Sequence, residues 1–103
     1  MTLSGDVMNK YDRHMEICKK LNEIYIKKNH DYGDAFSESY GKYGAVMPII
    51  RLEDKLNRFR NLVMNGNAEI KSESMKDTLL DLANYAIMTV IEIENREGKN
   101  EDN

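Results

Sequence analysis

The sequence predicts an all-α fold: a small helical bundle of three main helices with a Gly/Tyr-rich connection, completed by oligomerisation. Three observations point there. Apolar residues recur at steps of three and four, and no stretch shows the strict alternation of a half-buried strand. A single Pro stands among 103 residues, so long helices meet almost no break. The third helical pattern is apolar around about half its circumference, more than two neighbours from so short a chain can cover. The length itself is that of one domain, residues 1–103, with one small core.

Helix one is expected over 6–29. Val7, Met8, Tyr11, Met15, Cys18, Leu21, Ile24 and Tyr25 share one face, and Ser4 or Asp6 can cap the start. Residues 30–47 form the connection. The stretch 29–47 holds three of the six glycines and four of the eight aromatics, in a pattern that is neither clean helix nor strand. A connection this long is usually functional. Helix two is expected over 48–65, opened by Pro48 in its first turn, lined on one side by Ile49, Leu52, Leu56, Phe59 and Val63, and closed by Gly66.

Helix three, 73–96, begins after Ser72 or Ser74. Met75, Leu79, Leu82, Ala86, Val90 and Ile93 lie on one side of it, and Leu80, Ala83, Ile87 and Ile91 widen the apolar arc. The expectation is that this helix sits at the centre of the bundle and that another subunit covers the excess, making a homo-oligomer. The polar tail, 97–103, is expected to fray.

Formal net charge is −3, from 15 basic and 18 acidic residues, which excludes a globally basic protein that coats a nucleic-acid polymer. Cys18 is the only cysteine, so neither an intrachain disulfide nor a cysteine-based zinc site can form. Met1–Asp6 has no basic, apolar leader, and no run approaches the roughly 18 apolar residues of a membrane span. The expectation is a cytoplasmic protein without a membrane partner.

Three groups of residues could carry chemistry. On helix two, Arg51, Asp54, Lys55 and Arg58 stand at spacings of three, four and seven, turned away from Leu52, Leu56 and Phe59. They read either as a solvated face, with Asp54 paired to Arg58, or as a phosphate clamp of two planar guanidinium forks and one ammonium. On helix three, Asp77, Asp81 and Asn84 fall on one stripe beside Met88, between strongly apolar flanks. Carboxylates placed there need a partner, so Asp77 and Asp81 either pair with Arg51, Lys55 or Arg58 or hold Mg²⁺. In the connection, Tyr32, Phe36, Tyr40 and Tyr43 align at helical spacing among glycines and polar groups. That stripe serves either as core or as a platform that stacks a nucleotide base. His30 with Asp34, and His14 with Cys18, are i, i+4 pairs without a third ligand.

The stretches His30-Asp31-Tyr32-Gly33-Asp34, Arg51-Leu52-Glu53-Asp54-Lys55-Leu56-Asn57-Arg58 and Asp77-Thr78-Leu79-Leu80-Asp81-Leu82-Ala83-Asn84-Tyr85-Ala86 resemble the nucleotide modification associated domain family of phages and bacteria. The resemblance covers about residues 25–93. That family's helical pattern is in turn similar to the all-α NTP pyrophosphatases of the MazG type, which hold Mg²⁺ with acidic residues from two helices. Here Glu53-Asp54 is followed by Asn57-Arg58, so a cation stands where the pyrophosphatases keep an acid. The resemblance implies a nucleotide or nucleotide-derived small molecule as partner, in a bacterial or phage-infected cell. It implies Asp54, Asp77 and Asp81 as candidate Mg²⁺ ligands. The candidate nucleotide contacts are Tyr32, Phe36, Tyr40, Tyr43, Arg51, Lys55, Arg58 and Asn84. Two activities fit: Mg²⁺-dependent processing of a phosphorylated nucleotide, as in a pyrophosphatase, or an anti-defence sponge by which a phage sequesters a nucleotide-derived immune signal of its host without turnover.

Overall fold

The computed structural model describes residues 9–32, 34–65 and 68–101, with side chains at 9–30, 34–65 and 71–98. It is all-α, with no strand among the described residues: α1 (Lys10–Tyr32), α2 (Ala35–Tyr43), α3 (Val46–Asn65) and α4 (Ala68–Glu101). The chain divides into two compact units, 1–33 and 34–103.

The first unit contributes α1. Its cap is Asn9, whose side-chain oxygen accepts from the Asp12 backbone N–H at 2.9 Å, filling one of the four amide donors that a helix start leaves open. The caps expected from the sequence, Ser4 and Asp6, lie outside the described residues. The helix also runs three residues past the expected end at 29, because nothing before Gly33 stops it. His14 Nδ1 and Cys18 Sγ lie 3.7 Å apart on it.

The second unit holds the other three helices and differs from the expectation in three ways. The connection is not irregular: residues 35–43 form α2. Glu38 near its start and Lys42 near its end match the helix dipole, and the spacing of Phe36, Tyr40 and Tyr43 is helical, so Gly41 weakens the helix without breaking it. Second, α3 begins at Val46, before Pro48. Pro48 is the third residue of the helix, where a backbone N–H would have no intrahelical acceptor, and its ring is almost wholly inaccessible. Third, α4 runs 68–101 rather than 73–96, so the expected frayed tail is helical to Glu101. No Pro follows Arg96, and Gly98 costs a helix only about 1 kcal/mol.

Gly44 turns α2 into α3. Its φ of 73° and ψ of −162° form a combination open essentially to glycine alone, and its N–H closes α2 on the Tyr40 carbonyl at 2.7 Å.

Packing in this unit rests on α4, which contacts both α2 and α3. The side of α4 that meets them carries polar anchors beside the half-buried Met75, Leu82 and Met88. Asp81 reaches Lys55 of α3, Tyr85 meets Phe36 of α2, and Glu92 and Arg96 bind Ser37 and Tyr40 of α2. These positions, with Thr78 buried at 3% exposure, follow one stripe at helical spacing. Thr78 satisfies its hydroxyl on the Ser74 carbonyl at 2.7 Å. The apolar arc faces elsewhere: Leu79, Ile87, Val90, Ile91 and Ile93 are each more than a third exposed. The centre of the unit is accordingly thin. Met47 and Pro48 are its buried apolar residues among those described, with Leu52, Phe59 and Leu62 of α3 half-buried.

Glu92 is the anchor between α2 and α4. Only 8% exposed, it accepts from Ser37 Oγ at 3.0 Å and from Arg96 at 3.1 Å, and the Arg96 guanidinium lies 4.8 Å from the Tyr40 ring centre while donating to the Ser37 carbonyl at 3.3 Å. A buried carboxylate needs such partners to offset its lost hydration. Arg96→Met is therefore expected to lower unfolding free energy by about 1–3 kcal/mol in urea titration. Gly44→Ala should cost about 1–3 kcal/mol in the same measurement, through backbone strain alone.

Candidate functional site

The outward face of α3 carries the charge. At 100° per residue, Pro48, Leu52, Lys55, Phe59 and Leu62 form the side that packs, and Arg51, Asp54 and Arg58 form the neighbouring exposed side. The three cations therefore divide. Lys55 turns into the α3–α4 seam, where its Nζ lies 3.3 Å from Asp81 Oδ2, each side chain about 28% exposed. Arg51 and Arg58 stay exposed two turns apart, and neither has an ion pair among the described residues. The pairing of Asp54 with Arg58 that the spacing allowed does not form.

Beside Arg58 lies an open depression of about 450 Å³ lined by Asp54, Asn57, Arg58, Asn61, Leu62 and Asn65. Three asparagines at i, i+4 and i+8 place three amides on one face, each with two donors and an acceptor. Asn57 already accepts from Arg60 through Oδ1 at 2.8 Å, which orients its amide. Sequence reasoning passed over this ladder. The regular four-residue spacing of Asn57, Asn61 and Asn65 was the signal available.

The aromatic candidates separate as well. Phe36 stacks on Tyr85, ring centres 6.0 Å apart with planes inclined 29°, and so docks α2 on α4. Tyr40 lies beneath Arg96. Tyr43 is 63% exposed, with Lys42 Nζ 5.6 Å from its ring centre, and presents a face on which a base can stack. The Tyr32 side chain lies outside the described residues. Asn84 is half-buried on α4, and Asp77 is exposed. The other residues missed from sequence are Ser37, Glu92 and Arg96. Glu92 inside an apolar run with Arg96 four residues on was their trace.

Mg²⁺ is implied by the similarity to NTP pyrophosphatases, and the placement of the acids tests it. Among the described residues no group of three or more His, Cys, Asp or Glu gathers closely enough to hold a metal. Asp81, the most enclosed of Asp54, Asp77 and Asp81, is in contact with the Lys55 ammonium. Asp54, Asp77 and Asp81 are therefore not gathered into one such group.

The cationic helix, the Asn ladder and the Asp77–Asp81–Asn84 stripe all fall within residues 28–93, which match the family described as Nucleotide modification associated domain 1. The chain belongs to that family. No curated protein and no solved structure matches it significantly. The match to Nucleotide modification associated domain 1 takes in α2, α3 and most of α4, including the charged face, the Lys55–Asp81 pair and Glu92, and stops short of Arg96. No described helix is long and apolar enough to cross a membrane.

Lys55 and Asp81 tie the face to α4. A thermodynamic cycle of Lys55→Met, Asp81→Asn and the double variant should give a coupling of about 0.5–2 kcal/mol, below that of a fully buried pair because water still reaches both groups.

Proposed function

We propose that this chain is a nucleotide-binding protein whose cationic α3 face takes the ligand's phosphates. The observation that carries this is the pair Arg51 and Arg58: two exposed guanidinium groups two turns apart on one rigid helix, without ion pairs among the described residues, beside an amide-lined depression. Guanidinium forks match phosphate oxygens two at a time, and a helix presents them without ordering of the backbone, leaving only the side chains to be fixed. Lys55 lies one turn from each, its ammonium largely neutralised by Asp81, so the two arginines carry the face's positive charge. The amides of Asn61 and Asn65, one turn and two turns beyond Arg58, offer donor–acceptor pairs to a base edge.

Membership of a nucleotide modification associated family supports a nucleotide as ligand. Sequestration without turnover is the second reading, favoured by Asp81 facing a lysine where a hydrolase would present it to a metal. Both readings share the cationic face and differ only in whether the ligand leaves intact.

The test begins with an equimolar mixture of ribo- and deoxyribonucleoside mono-, di- and triphosphates, incubated with the protein with and without Mg²⁺, and mass spectrometry of retained ligands and products. Calorimetric titration with the retained nucleotide follows. Arg58→Ala is expected to weaken binding by roughly 10- to 150-fold, the worth of about 1.5–3 kcal/mol for one charge-assisted contact. Asp77→Asn should change affinity by less than Arg58→Ala does. Unchanged affinity for Arg58→Ala, with binding lost on chelating Mg²⁺, would reject the cationic face as the site.

A further inference from the structure

The apolar arc of α4 lies opposite the stripe that α2 and α3 occupy, and Leu79, Ile87, Val90, Ile91 and Ile93 on it are 38–53% exposed. Along its middle runs a row at alternating steps of four and three: Lys76, Leu80, Ala83, Ile87, Val90, Glu94. That spacing is the seam of a helix pair, with Leu79, Ala86, Ile91 and Ile93 as flanks. A charge of opposite sign stands at each end. Lys76 and Glu94 are eighteen residues apart, about five turns and roughly 27 Å, so they share one azimuth on the helix.

We propose that a second copy of this chain covers the arc, α4 against α4 and antiparallel, about a two-fold axis at the level of Tyr85. In that register the row is complementary to itself. Lys76 meets the partner's Glu94, Leu80 meets the partner's Val90, and Ala83 meets the partner's Ile87. Every contact occurs twice, as an isologous interface requires. Small faces large at the centre, where Ala83 and Ala86 let the helices approach closely, and the only charges in the row pair at its ends. A parallel arrangement would place Lys76 on Lys76 and Glu94 on Glu94, so the charge pattern selects the antiparallel one. The interface lies off the α3 side of α4, away from Lys55 and Asp81, and the proposal stands or falls independently of nucleotide binding.

Sedimentation equilibrium of the full chain over nanomolar to high-micromolar concentration tests this. The wild type should be a dimer. Lys76→Glu and Glu94→Lys each bring like charges together at two symmetric positions, and each should weaken dimerisation by about tenfold or more. The double variant Lys76→Glu/Glu94→Lys restores both pairs and should return to near wild-type affinity. Ile87→Asp should give a monomer that keeps its helical circular dichroism, since Ile87 stands on the side away from α2 and α3. A wild type that stays monomeric, as it would if α1 of the same chain covered the arc, overturns the proposal. So does a dimer indifferent to the single charge reversals, or a double variant as weak as the singles.

Discussion

Everything else in residues 34–103 follows from the direction in which α4 spends its polar side. A helix with an apolar arc ordinarily turns that arc to its own chain. Here the chain packs the other side, through Asp81, Tyr85, Glu92 and Arg96, and each of these requires a chosen partner on α2 or α3. Buried polar groups are for the most part satisfied, so the positions of Ser37, Tyr40 and Lys55 are set by what α4 brings to them, although Arg96 Nε is buried without a hydrogen-bond partner among the described residues. Glycine at 44 completes the constraint, since only a glycine turn aims α3 back along α4 from the end of a nine-residue α2. Packing of this kind gives specificity more than energy, and the thin apolar centre around Met47 and Pro48 is the result.

The same arrangement explains how the charged face of α3 comes to be divided. Lys55 is drawn inward by Asp81, whereas Arg51 and Arg58, one residue type better suited to binding phosphate oxygens in pairs, are left outward on the same helix. A site on a rigid helix held by an inter-helix ion pair keeps its geometry without the ligand, which lowers the ordering cost of binding. The family's name fits the nucleotide proposed as ligand, and in that proposal the asparagine ladder next to Arg58 offers amides to a base edge. Acid clusters play no comparable part in what the described residues assemble.

Helical periodicity made α1, α3 and α4 legible from sequence, and the all-α class with them. The segment 35–43 was misread because three glycines nearby outweighed a spacing of Phe36, Tyr40 and Tyr43 that was helical all along. The apolar arc on α4 was legible, and Leu79, Ile87, Val90, Ile91 and Ile93 on it are each more than a third exposed, whereas what covers it is not written in the periodicity. Periodicity says which residues share a face and carries no information on whether that face meets the same chain or another one. Lys55 illustrates the limit for the site: it belongs to the stripe of Arg51 and Arg58 by spacing, and only the approach of Asp81 on α4 assigns it to the seam. Ser37 escaped notice because a contact across 55 residues of sequence leaves no local pattern, and the i, i+4 pair of Glu92 and Arg96 does not by itself show that it faces α2.

In the proposed dimer α4 holds its own chain through Asp81, Tyr85, Glu92 and Arg96 and leaves its apolar arc for a second copy. Isotope-filtered nuclear Overhauser spectroscopy on an equal mixture of labelled and unlabelled protein addresses both halves in one sample. The expected result is contacts between the Tyr85 and Phe36 rings within a chain only, and intermolecular contacts from the Ile87, Val90 and Ile91 methyl groups to α4 of the other chain. Intramolecular contacts from those methyl groups to α2 or α3, with Tyr85 free of Phe36, would contradict it.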